Sequence, residues 1–276
     1  MTPPYTYRDL CKKLQQGTSI KTFSDFTYRP GNKPFEIPSE DLAGKKTLMI
    51  RHDVDHYPAL AHEMACVEAS LGIRSTYFIL TTDGAAKWWN DKALRKDYLG
   101  LIAEMQDMGH EIGLHYDFLG DYFSDGRTPK ENIESILNEF RAVGLTIVGA
   151  ASHGSSRMRK ILGAVGNVPY PPEFVNYRIW EECSPKTEEL IAGSRTLEIP
   201  ALSLKQYDLH YETYWVTKDW YFSDSGGNFW LQGHADHIFE NLDASDMHPY
   251  EAIPKMEDGE VMQILIHPIW WKGQLR

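Results

Sequence analysis

The stretch Leu48-Met-Ile-Arg-His-Asp-Val-Asp-His56 opens as an apolar strand and ends with two carboxylates, two imidazoles and a guanidinium inside six residues. Ionised side chains lose several kcal/mol of solvation on burial unless a metal or counter-charge compensates, so a strand ending in such a cluster is poor core material. Two further apolar segments end in the same way, Gly109-His-Glu-Ile-Gly-Leu-His-Tyr-Asp117 and Gln263-Ile-Leu-Ile-His-Pro268. Three strands delivering His and Asp to their C-terminal ends point to one site at the mouth of an α/β barrel, and so to an enzyme.

Outward from that stretch, the rhythm is strand, helix, strand. A strand is predicted from Thr47 to about Asp53. Pro58 suits the first turn of a helix, whose stripe is Leu60, Met64, Val67 and Leu71 and which ends at Gly72. Ser75–Leu80 is the next strand. Leu94, Tyr98, Leu101 and Met105 mark a second helix ending at Gly109, followed by strand His110–His115. A third helix opens at Thr128-Pro129, faces the core with Ile133, Ile136, Leu137 and Phe140, and stops at Gly144 before strand Thr146–Ala151. This is the pattern of a parallel sheet with helices outside. Upstream lie a short helix over residues 5–16, an extended piece over Thr18–Phe26 and a Pro30–Pro38 loop. Past residue 155 the rhythm weakens. Strands are read at Leu197–Leu204, Tyr211–Thr217, Asn228–Gln232 and Val261–Ile266, with aromatic-rich loops between them lying over the site. One domain over residues 1–276 is expected, with 1–44 packed on the barrel as an extension.

The 276 residues are 42% hydrophobic and 24% charged, ample for one large core. A formal net charge of -11 argues against nucleic-acid or anionic-membrane partners. Three scattered cysteines, Cys11, Cys66 and Cys183, make neither a disulfide framework nor a metal knuckle, and Cys66 is expected to be a buried, inert thiol. No apolar run is long enough to span a bilayer. The N-terminus has no signal-peptide pattern, so a cytoplasmic location is expected.

Asp53 and Asp55, at a strand end, can converge on one metal while one carboxylate stays free to take a proton from water. The competing reading is a turn whose Asp side chains cap the helix at Pro58, which leaves Arg51 and His52 unexplained. His110 and His115, five apart, face opposite sides of a strand; His115 is the better ligand and His110 the structural one. His153, in Ala150-Ala-Ser-His-Gly-Ser-Ser156, again follows an apolar strand and is a further candidate ligand. His267 ends the last strand and suits a general acid for a departing amine. Arg51, His52, Trp220, Asp224 and Trp270 are candidate substrate contacts, the tryptophans by stacking on sugar C–H faces.

With these residues assembled, the chain resembles the polysaccharide deacetylase (NodB-homology) superfamily, the family-four carbohydrate esterases, and within it the branch tied to O-antigen and surface-polysaccharide biosynthesis. The carriers are Arg51-His-Asp-Val-Asp55, Gly109-His-Glu-Ile-Gly-Leu-His115 and Ile264-Leu-Ile-His267-Pro, across roughly residues 45–270. The resemblance implies a distorted, incomplete (β/α) barrel and hydrolysis of an N-acyl group, acetyl first, from a sugar. It matches Asp53 to the base, Asp55 and His115 to the metal and His267 to the acid. The family's second metal His falls at Leu119 here, which leaves three alternatives: His153 supplies the missing ligand, Asp117 does, or the metal is weakly held or absent. The family's arginine-proline motif is replaced by Ser152-His-Gly-Ser155.

The expected function is therefore a divalent-metal hydrolase acting on a carbohydrate, or on a nucleotide- or lipid-linked sugar. Zn²⁺ is taken first, with Co²⁺, Ni²⁺ and Fe²⁺ equal on ligand type. The alternatives are another bond on the same fold (deformylase, O-deacylase or metal-free cyclic amidase) and a catalytically silent carbohydrate-binding protein. The sequence does not fix the oligomeric state.

Overall fold

Strand side chains alternate between two faces, and in the stretch that opens the site this alternation separates chemistry from core. The structure, a computed structural model, describes residues 4–31, 34–82, 87–162, 172–184, 188–192, 195–199, 201–234 and 243–276. The first three residues, residues 32–33 of the expected Pro30–Pro38 loop and residue 200 of the expected strand Leu197–Leu204 lie outside the described residues.

The first half runs α1 (Tyr7–Leu14), β1 (Ser19–Lys21), α2 (Ser39–Leu42), β2 (Thr47–Val54), α3 (Pro58–Ser70) and β3 (Thr76–Leu80). It continues with α4 (Lys87–Asn90), α5 (Lys92–Asp107), β4 (Glu111–Tyr116), α6 (Phe118–Asp125), α7 (Pro129–Ala142), β5 (Ile147–Ser152) and α8 (Ser156–Leu162). The second half has few helices: β6 (Glu188–Ala192), β7 (Arg195–Ile199), β8 (Tyr211–Glu212), β9 (Trp220–Ser223), β10 (Leu231–His234), β11 (Asp243–Ala244), α9 (Pro249–Ala252) and β12 (Val261–Ile266), linked partly by 3₁₀ turns.

One curled sheet has the order β11-β10-β9-β12-β2-β3-β4-β5-β8, with β1 added alongside the start of β2. From β9 to β8 the pairs are parallel, whereas β10 is antiparallel to both β9 and β11. The path ends at β11 and β8, which do not pair with each other among the described residues. The fold is thus mixed α/β, an incomplete barrel. β6 and β7 form a separate antiparallel hairpin.

Leu48 and Ile50 of β2 pack outward with Met64 and Val67 of α3. Each such buried apolar side chain contributes about 2 kcal/mol. His52, next on that face, is fully buried against Glu68 of α3, with His52 Nε2 2.9 Å from Glu68 Oε1. Glu68 also accepts hydrogen bonds from the hydroxyls of Tyr7 (2.5 Å), Ser75 (2.5 Å) and Tyr77 (2.6 Å). The inward residues of the same strand are Met49, Arg51 and Asp53. Close approach inside the barrel needs glycine at Gly113, where a Cβ would meet the Phe78 ring at 2.4 Å. Helix α7 starts with a reciprocal cap between Thr128 and Glu131 and stops where Gly144 takes φ +85°.

Three expectations are corrected. Cys66 is exposed, because the core stripe of α3 is Ala61, Met64, Ala65, Val67 and Glu68, and residue 66 points away from it. On α5 the buried residues are Leu99, Ile102 and Met105, whereas Leu94 is 43% exposed. Trp220 begins a strand, β9, in a stretch read as loop, and its Nε1 donates to Glu260 (2.9 Å).

Candidate active site

Five of the six consecutive strands from β9 to β5, all but β3, bring their C-terminal ends to one cleft. In sheet order Asp224 follows β9, His267 follows β12, Asp53 and Asp55 close β2, His115 lies near the end of β4 and His153 follows β5. The cleft has a volume of about 390 Å³, and its lining includes Asp53, Asp55, His115, His153, His267 and Trp270.

Asp53 is gripped from its own strand. Arg51 donates from Nε to Oδ1 and from Nη2 to Oδ2, both at 2.7 Å. Arg51 is itself buried, its guanidinium carbon 5.1 Å from the Tyr214 ring centroid and 5.5 Å from that of Phe78. Burial alone would raise the Asp53 pKa, but the charges of Arg51 and His115 bring it below the usual carboxylate range. Asp53 is therefore an ionised, fixed carboxylate, as a proton acceptor must be.

The N-cap of α3 is Tyr57, which makes no side-chain cap hydrogen bond, and Asp55 lines the cleft. Its Oδ1 lies 3.3 Å from His115 Nε2 and 3.9 Å from His153 Nε2, and its Oδ2 4.0 Å from His267 Nε2. Asp55, His115 and His153 each present a donor atom, all within 4.8 Å of one another. Asp55 Oδ1 and His153 Nδ1 are buried without a hydrogen-bond partner, an expensive arrangement unless something else satisfies them. His115 Nδ1 lies 2.7 Å from the Ala151 carbonyl. A carbonyl only accepts, so Nδ1 carries the proton and a neutral ring keeps its Nε2 lone pair for the cleft. Burial would lower the His115 pKa, yet Asp53 and Asp55 raise it, which marks this point as one that favours positive charge. One carboxylate and two imidazoles around an open position fit a first-row divalent ion.

His267 is aimed by Asp224. Its Nδ1 is 2.7 Å from Asp224 Oδ1, its backbone N–H donates to both carboxylate oxygens (2.9 and 3.1 Å), and Trp271 Nε1 donates to Oδ2 (3.1 Å). Burial would depress the imidazole, but the Asp224 bond and the charges of Asp224, Asp55 and Asp53 raise it to about 9. These carboxylates favour the protonated ring at the cleft.

The structure brings Asp53, Asp55, His115, His153, His267 and Trp270 together, but places four expected substrate contacts elsewhere. Arg51 is spent on Asp53. His52 is on the helix side of β2, because alternate strand residues face opposite ways. Trp220 sits at the starting end of β9, remote from the strand's C-terminal end. Asp224 is fully buried behind His267 and touches it, not the cleft. Asp117 is saturated by Gly120 N, Ser155 Oγ, Arg157 and Asn176 Nδ2, so it is not a free donor. Leu119 is a buried core residue of α6. Tyr214 and Arg159 also line the cleft and were not anticipated. The strand-end rule that found His267 would have given Asp224 its place had Trp220–Ser223 been read as a strand.

No family model matches the chain, and no curated protein matches it. Among solved structures it is similar to a mutant CE4-family pseudoenzyme with restored enzymatic activity, at 11% identity and TM-score 0.38, covering 85% of this chain. The chain spans 61% of that protein's length. It is also similar to a family 4 carbohydrate esterase from Bacillus anthracis, at 12% identity and TM-score 0.33, covering 92% of this chain and 75% of the other.

Proposed function

We propose that the protein is a metal-dependent hydrolase that removes an N-acyl group, acetyl first, from a sugar. The observation that carries this reading is the convergence of a fixed ionised carboxylate, an open Asp/His/His donor set and a protonated histidine in one cleft. A divalent ion held by Asp55, His115 and His153 would supply Lewis-acid polarisation of the acyl oxygen and make water more acidic. Asp53 is placed to accept the proton of the attacking water. Arg51 keeps Asp53 oriented and ionised until then. His267 donates a proton to the departing nitrogen, and Asp224 holds the ring in the orientation that allows it. Amide cleavage needs such an acid because an amine anion is a poor leaving group, which favours a C–N bond over an ester here.

The test is Asp53→Asn, assayed for acetate released from N-acetylated sugars, free and nucleotide-linked. A loss of kcat on the order of 10³-fold is expected with bound metal unchanged, since general-base catalysis contributes about 10²–10⁴-fold. Full activity in that variant would reject the base assignment. Formate in place of acetate on matched N-formyl substrates would move the reading to a deformylase.

A further inference from the structure

Helices α3 and α5 pack against each other, and their contact carries two matched rungs of polar and sulfur side chains. His62 and Cys66 stand one turn apart on α3. They face Glu104 of α5 and its C-cap Met108, which are again one turn apart. His62 Nε2 lies 2.8 Å from Glu104 Oε2. Cys66 Sγ lies 3.9 Å from His62 Nδ1 and 4.0 Å from Met108 Sδ. None of these four residues lines the catalytic cleft.

The core has no need of this arrangement. Cys66 is exposed and points away from the buried stripe of α3. A thiol is a weak donor and a thioether a weak acceptor, so their contact contributes little to stability. Exposure also leaves the thiol open to oxidation.

What the cluster offers is metal donors. The Glu104 carboxylate only accepts, so His62 Nε2 carries the ring proton and Nδ1 turns its lone pair toward Cys66. A metal-bound imidazole is held in this way, with its outer N–H on a carboxylate. Nitrogen and sulfur donors about 2.0–2.3 Å from one first-row ion lie roughly 3.5–4.0 Å apart, which covers both distances from Cys66 Sγ. His62 and Cys66 also line an open groove of about 400 Å³, which gives an ion a route in from solvent.

We propose that His62, Cys66 and Met108 form a metal site, separate from the cleft, that takes a soft monovalent ion, Cu⁺. A thiolate, a thioether and one imidazole suit that ion, whereas the sulfur-free Asp/His/His set of the cleft suits harder divalent ones. On binding, the Cys66 thiol releases its proton to solvent and the ion ties α3 to α5.

The test is an anaerobic titration of the full chain with Cu⁺ against a chromogenic Cu⁺ chelator, with Cys66→Ser, Met108→Leu and Cys183→Ser alongside. The unmutated protein and Cys183→Ser are each expected to take one equivalent of Cu⁺ from the chelator, and Cys66→Ser to lose it. X-ray absorption at the copper edge should show two sulfur neighbours in the unmutated protein and one in Met108→Leu. Melting of the metal-free variants checks that they fold. Where Cys66→Ser melts below the parent, the sulfur count in Met108→Leu decides. No Cu⁺ taken up, an equivalent that survives in folded Cys66→Ser, or a sulfur count that Met108→Leu leaves unchanged would overturn the site.

Discussion

Asp53 and Asp55 have similar intrinsic acidity and sit two residues apart, yet their surroundings divide them. Asp53 has both oxygens engaged by Arg51, whereas Asp55 keeps a buried Oδ1 without a hydrogen bond. The first suits proton transfer and the second suits holding a cation. The same logic applies to His267, whose proposed role as an acid would depend on Asp224, the carboxylate bound to its Nδ1. Asp224→Asn is expected to lower kcat by on the order of 10²-fold or more, with KM little changed, because only ring orientation and charge are lost. Steady-state kinetics on the same substrates decide it, and an equal rise in KM would mean that Asp224 binds substrate after all.

At the scale of elements, the face of β2 away from the cleft makes its own prediction. Burial would raise the Glu68 pKa, but His52, His110 and Ser75 lower it to about 2. A carboxylate depressed in the folded state contributes stability that is present above its unfolded value, near 4.5, and lost as pH falls toward 2. Glu68→Gln should therefore destabilise the protein by about 3 kcal/mol at pH 7, and the difference should shrink through that acid window in urea melts. A gap that is constant with pH would contradict it. How well the elements could be read from sequence also depends on their surroundings. β12 was expected at Val261–Ile266 and is found there, because an apolar run interrupted only by Gln263 ends at His267. β9 was missed: Trp220–Ser223 is short and aromatic, with no alternation to see. The α5 stripe was misplaced because apolar residues at 94, 98, 99, 101, 102 and 105 allow more than one face. His153 enters the expected ligand set by its strand end, and the hydrogen bonds that saturate Asp117, the other option, support that choice.

For the molecule as a whole, the proposed cation would join β2, β4 and β5 across the mouth of an unclosed sheet. A ligand bound only by the folded state adds about 2.7 kcal/mol at a hundredfold excess over Kd. Adding Zn²⁺ to chelator-stripped protein should thus raise Tm by several degrees, and Asp55→Ala should lose that response. Identical melting curves with and without Zn²⁺, and no metal by elemental analysis, would remove the cation from the proposal. Among the described residues no helix is long and apolar enough to cross a membrane. Strand β2 carries Asp53 on its cleft face and His52, bound to Glu68, on the other. Sliding it by one residue would push Arg51 and Asp53 into the oily seam under α3 while emptying the cleft. Correct threading of this strand and readiness for chemistry are thus a single event, so a chain that has docked β2 wrongly should be unstable as well as inert, and half-assembled copies should not persist.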